Sequence, residues 1–203
     1  MKKEIYIIRH GETEFNQLGI VQGKGINSSL NATGKLQGLK FYNTYKNTGF
    51  EKIYVSTLKR TLETVSDFQE LNIPYEKNAA LDEISWGIHE GKSDGETFKY
   101  FYHTLHLWKQ GQVNIKIEGG ESPLEVQERQ LIFIEELKAS TENKILICSH
   151  GRAMRILLCS MLNKPLQDMD TFPHHNTSLY KLIFEDGVFT VELFNDLTHL
   201  NGK

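Results

Sequence analysis

Little in this chain favours cross-linking, membrane insertion or attachment to a polyanion. It has two cysteines in 203 residues. Cys148 lies in an apolar stretch read as a strand and Cys159 in one read as a helix, so two buried free thiols are expected rather than a disulfide. Long apolar runs are also missing. Glu4 and Arg9 confine the N-terminal run to a few residues, too short for a signal h-region, and nothing else approaches the ~20 residues of a membrane span. Nor is there an excess of positive charge. A formal net charge of -3 gives no polybasic footprint of the kind nucleic acid or an anionic membrane needs, so any attraction for phosphate has to be local. No internal repeat beyond one device described next, no low-complexity segment and no linker interrupts the sequence. A single α/β domain over 1–203 is expected, with no nucleic-acid or membrane partner and a cytoplasmic location.

What is present is a short apolar strand at 5–8 halted by Arg9, His10 and Gly11. A buried strand ends this way when its tip carries chemistry. The chain repeats the device at 145–151, where Ile145, Leu146, Ile147 and Cys148 lead to Ser149, His150 and Gly151. In an open parallel sheet, ligands sit beyond the carboxyl ends of the strands, so two distant histidines can face one substrate.

Between them, residues 11–29 lose periodicity and carry Gly11, Gly19, Gly23 and Gly25, a loop long enough to be functional. The stretch 19–24 is not a nucleotide P-loop: three residues separate Gly19 from Gly23, and Gly25 stands where Ser or Thr should follow Lys24. A helix is expected from Asn31 to about 46, with Leu36, Leu39 and Tyr42 or Asn43 facing the core. Residues 52–56 read as a strand and about 58–71 as a second helix. Arg60 falls in that helix's first turn, where a cation is unfavourable unless an anion binds the free N–H groups and the guanidinium fork together. Lys59 reads as solvated.

Asp82 and Glu83 share a loop. Residues 93–110 read as a helix with the apolar stripe Phe98, Phe101, Tyr102, Leu105 and Trp108. His103 and His106 lack a completing Cys or carboxylate, so no metal site is expected there. Ser122, Pro123 and Glu125 mark a capped helix start. Arg152 in the first turn after His150 is placed to touch substrate, and Arg155 reads as an internal ion pair. His174, His175 and Asn176 precede two strands joined by Glu185, Asp186 and Gly187, a hairpin signal.

Taken in order, Arg9-His10-Gly11-Glu12-Thr13 with Asn16, Arg60, Glu83, and Ser149-His150-Gly151 resemble the histidine phosphatase superfamily, from Arg9 to about Ser178. The resemblance implies a three-layer α/β/α sandwich with a mostly parallel central sheet, and a cap-like insertion at about 88–117 that roofs the site. It implies His10 as nucleophile, Glu83 as proton donor, and Arg9, Asn16, Arg60 and a donor nitrogen of His150 around the phosphate. Gln22 and Gly23 either line the pocket or are a solvated glutamine and a plain turn glycine. No metal or organic cofactor is implied, and the partner is a small phosphorylated substrate. Phosphoglycerate mutases of this family carry basic or His residues after the Glu, whereas this chain has Ile84 and Ser85, which favours a phosphatase. The alternatives are a mutase, a sugar bisphosphatase or a noncatalytic phosphoprotein-binding module. The sequence leaves the oligomeric state open.

Overall fold

The computed structural model describes residues 2–95 and 98–201. Met1, Gly202 and Lys203 of the expected 1–203 domain lie outside these residues, as do Glu96 and Thr97 of the expected 93–110 helix. Six strands form one sheet in the order β3-β2-β4-β1-β5-β6: β1 Lys3–Arg9, β2 Lys52–Val55, β3 Tyr75–Lys77, β4 Lys144–Ser149, β5 Leu179–Glu185 and β6 Val188–Asp196. The first four in that order run parallel, and β5 and β6 add an antiparallel edge. Asp186 and Gly187 join β5 to β6 with φ of 52° and 83°, a positive pair that matches the twist of a two-residue hairpin. Helices α1 Glu14–Gln17, α2 Ala32–Tyr45, α3 Lys59–Thr64, α4 Phe98–Lys109, α5 Pro123–Ala139 and α6 Gly151–Met161 complete the architecture.

Alternation along the strands builds a core on each face of the sheet. Ile5, Ile7, Ile145 and Ile147 pack with Val126, Phe133, Met154 and Leu157 of α5 and α6, while Tyr6, Ile8, Ile53 and Cys148 pack with Phe41 of α2 and with Phe68. Cys148 and Cys159 are free and buried, as expected. Ser122 and Glu125 form the expected capping box, with Pro123 in the first turn of α5.

Three expectations are corrected. Leu36 and Leu39 do not face the core: they are 53 % and 44 % exposed, and α2 buries Gly34, Gly38 and Phe41 instead. The glycine side is turned inward because backbone packs on backbone there, and a Cβ on Gly34 would sit 2.1 Å from the carbonyl oxygen of Glu12. The helix expected over 58–71 divides at Val65 into α3 and a tighter 3₁₀ turn, Ser66–Leu71. On α4, Phe98, Phe101, Thr104 and Trp108 are buried, while Tyr102 is 63 % exposed. No helix among the described residues is long and apolar enough to cross a membrane.

Candidate active site

Strand order brings the two His-Gly units together. β1 and β4 are parallel neighbours with Arg9 opposite Ser149, and the His10 N–H extends the ladder to the Ser149 carbonyl at 3.0 Å. The His10 and His150 ring centroids are 5.1 Å apart. On the other side of β1, the Arg9 carbonyl accepts from the Thr177 N–H at 3.1 Å, which carries the loop holding His174 and Asn176 to the same strand end.

His10 is buried, and its Nδ1 lies 2.7 Å from the Gly11 carbonyl. That carbonyl can only accept, so the proton sits on Nδ1 and the lone pair on Nε2. Burial, then Arg60 and Arg9, hold the imidazole well below its usual range, which keeps Nε2 unprotonated. His150 is neutral for the same three reasons, with His10 as a further neighbour. Its Nδ1 accepts from Arg60 Nε at 3.1 Å and its Nε2–H donates to Ser56 Oγ at 2.7 Å. As arranged here it therefore presents no N–H toward the cavity.

A cavity of about 170 Å³ opens at this end of the sheet, lined by Arg9, Asn16, Ile20, Gln22, Glu83, Trp86, Gly151, Arg152 and His174. Of the residues expected from sequence, Arg9, Asn16, Gln22 and Glu83 stand on its wall. His10, Arg60 and His150 are buried and are not among its lining residues, Arg60 being 0 % exposed. Arg60 Nη1 and Nη2 donate to the carbonyls of Ile26 and Gly23 at 2.5 and 3.4 Å. The start of α3 is not an open anion site, because its Lys59 N–H bonds Asn27 Oδ1 at 2.9 Å and the Leu58 N–H bonds Ser56 Oγ at 3.1 Å. Gly23 is absent from the cavity wall. It packs against the Glu90 carboxylate and the Ile84 carbonyl oxygen, which would lie 2.1 and 2.8 Å from a Cβ.

Arg9 Nη1 donates to His174 Nδ1 at 3.2 Å, while its buried Nε has no partner among the described residues. Burial draws the guanidinium pKa of both Arg9 and Arg60 down to about 10, with Glu83 opposing the shift. Gln22 Nε2 donates to Thr13 Oγ1 at 2.7 Å. Asn16 Oδ1 accepts from the Thr13 N–H and from Asn176 Nδ2, both at 3.2 Å. Gln22 is thus a wall residue with defined partners, not a solvated loop residue.

Glu83 faces the start of α6. Its Oε1 accepts from the N–H groups of Ala153 at 2.8 Å and Ile84 at 3.0 Å, and its Oε2 from Arg152 N–H at 3.2 Å. The helix dipole favours a negative charge at this point. The loop that carries it is tied down by Arg129, which donates to the carbonyls of Ala80 and Asp82 at 2.6 and 2.8 Å, and by Ser149 Oγ on the Leu81 carbonyl at 2.8 Å. Asp82 is committed elsewhere: Oδ1 takes the Thr57 N–H and hydroxyl at 2.7 and 2.9 Å. Among the described residues, Glu83 is the only carboxylate on the cavity wall.

Sequence reading missed His174 and Trp86 as wall residues. It takes His174 and His175 only as residues preceding the last two strands, and no local signal ties Trp86 to α6. Among the described residues no group of three or more His, Cys, Asp or Glu is close enough to hold a metal. Arg155 forms the expected internal ion pair, with Asp170 at 2.7 Å. Segment 88–117 supplies no described wall residue. It reaches the site through Trp108, stacked on Trp86 at 5.7 Å between ring centroids.

The family model for the histidine phosphatase superfamily (branch 1) matches residues 5–197. The chain belongs to that superfamily. It is 32 % identical over 169 residues to a 6-phosphofructo-2-kinase/fructose-2,6-bisphosphatase of Aquarana catesbeiana, which aligns with 82 % of this chain and 34 % of that protein. The chain therefore spans about a third of that relative's length. It is 26 % identical over 200 residues to a putative phosphoserine phosphatase 2 of Hydrogenobacter thermophilus, covering 97 % of each chain. The solved structure of Bacillus stearothermophilus YhfR superposes with a TM-score of 0.86 at 26 % identity, covering 98 % of this chain and 99 % of that one. These likenesses accord with the three-layer α/β fold expected from sequence.

Proposed function

We propose that this superfamily member is a phosphatase that hydrolyses small phosphomonoesters through a phosphohistidine on His10, with Glu83 as general acid and then general base. The observation that carries the reading is the fixed tautomer of His10: Nδ1–H is committed to Gly11, and Nε2 is left unprotonated next to two arginines. Phosphoryl transfer needs mainly positioning and charge stabilisation. Arg9, with its unspent Nε, and Asn16 line the cavity and would take the nonbridging oxygens. Arg60 joins them by exchanging the Ile26 and Gly23 carbonyls for phosphate oxygens. Once Arg60 Nε turns to the phosphate, His150 is free to take its other neutral tautomer, with Nε2 accepting from the Ser56 hydroxyl and Nδ1–H donating to the phosphate. Such bonds commonly tighten only when substrate binds.

With Glu83 protonated by the phosphate monoanion as substrate binds, Nε2 of His10 attacks phosphorus and the ester oxygen leaves with that proton. Water then attacks the phosphohistidine, its proton passing to Glu83, and inorganic phosphate departs. No step calls for a metal or an organic cofactor. Ile84 and Ser85 in place of a basic pair favour hydrolase over mutase, and retention of both His10 and Glu83 favours an enzyme over a binding module. The sugar-bisphosphatase alternative draws support from the Aquarana relative. Brief exposure to ³²P-labelled substrate followed by denaturation should leave acid-labile label on His10. Label that persists in His10→Ala and disappears in His150→Ala would reverse the roles.

A further inference from the structure

Arg152 is placed in a way that the proposed reaction leaves unexplained. That reaction uses only its backbone N–H, which holds Glu83. Its side chain stands on the wall of the same cavity as Arg9 and Asn16 and is 11 % exposed. The guanidinium lies over the rings of Trp86 and Trp108, 5.8 and 5.6 Å from their centroids. Two stacked indoles thus hold it flat and limit its rotamers. Nη1 donates to Asp170 Oδ1 at 2.7 Å. That carboxylate also takes Arg155 at 2.7 Å and Lys109 at 3.5 Å, so one anion is divided among three cations. Among the described residues, Arg152 Nε and Nη2 have no acceptor. These two nitrogens form one edge of the guanidinium, the edge that matches a planar carboxylate with two parallel N–H bonds.

The cavity accommodates a short ligand. A volume of about 170 Å³ corresponds to about six waters at ~30 Å³ each. It admits a phosphoryl group and a chain of a few heavy atoms. We propose that Arg152 is a specificity-determining residue that selects compact phosphomonoesters bearing a carboxylate a few bonds from the ester oxygen, the phosphorylated hydroxy acids. This assignment rests on the phosphatase reading above.

The test compares kcat/KM for 3-phosphoglycerate with that for glycerol 3-phosphate, in which a hydroxymethyl group replaces the carboxylate. Fructose 2,6-bisphosphate and p-nitrophenyl phosphate serve as further substrates. The unmodified enzyme should prefer 3-phosphoglycerate over glycerol 3-phosphate by about 10- to 100-fold, the range of a charge-assisted pair. Arg152→Met should bring that ratio close to one, and Arg152→Lys, which keeps the charge and loses the fork, should fall between. A ratio near one in the unmodified enzyme overturns the assignment whatever the variants do. A ratio unchanged in Arg152→Met overturns it too, as does an Arg152-dependent preference for the bisphosphate. In these cases phosphate release from p-nitrophenyl phosphate leaves the phosphatase reading standing. Failure to release phosphate from any of the four esters sinks both.

Discussion

Replacing Glu83 with Gln separates the two jobs assigned to this residue. The carboxylate accepts three backbone N–H groups. Glutamine can keep its oxygen on Ile84 and Ala153 but must then turn its NH₂ toward the Arg152 N–H, so one charge-assisted bond is lost and the site stays assembled. Such a bond contributes about 1.5–3 kcal/mol, which for a chain of this size lowers Tm by about 3–12 °C. The catalytic effect should be larger and should depend on the leaving group. An alkoxide needs a proton as it departs, so kcat on an alkyl phosphate should fall by about 10²–10⁴. p-Nitrophenolate leaves unaided, so p-nitrophenyl phosphate should still phosphorylate His10. Stopped-flow absorbance should then show a burst of about one nitrophenolate per site, followed by slow turnover as hydrolysis of the phosphohistidine lacks its base. If Glu83→Gln matches the unmodified enzyme on both substrate types, the acid–base assignment fails. Asp82 cannot take over, because Thr57 holds it away from the cavity.

Two further outcomes follow from the same geometry. His199 is buried against Phe41 with a ring-centroid distance of 5.3 Å, and burial, partly offset by Asp196, depresses its pKa to about 4. Unfolded chains take up this proton near pH 6.5, whereas the folded one does so only near 4. Stability should therefore be level above pH 6.5 and fall as pH drops from 6.5 toward 4, by up to about 3 kcal/mol from this residue. His174, depressed to about 3 by burial and by Arg9, adds in the same direction. Urea unfolding of His199→Phe across this range should give a flatter slope, and identical slopes would refute the attribution. Dialysis against EDTA should leave phosphatase activity nearly unchanged; a loss restored by a divalent ion would mean that a metal shares the phosphate charge.

The sequence by itself determined whatever is local. Strand ends at His10 and His150 were legible because an apolar run stopped by His-Gly needs no distant partner to be seen. The hairpin at Asp186 and Gly187 and the capped start of α5 at Ser122 were legible for the same reason, and the motif order gave the superfamily. Tertiary structure decided which faces are buried and which distant residues meet. Leu36 and Leu39 fit a helical core stripe, but close backbone packing at Gly34 and Gly38 turns α2 to bury the other side. His174 reaches Arg9 only because β5 runs antiparallel beside β1. Asn27 closes the start of α3 from 32 residues away, and Arg152 finds Trp86 and Trp108 from a helix far along the chain. Periodicity and propensity act over a few residues, whereas these contacts depend on strand order and loop path, which no short window of sequence contains.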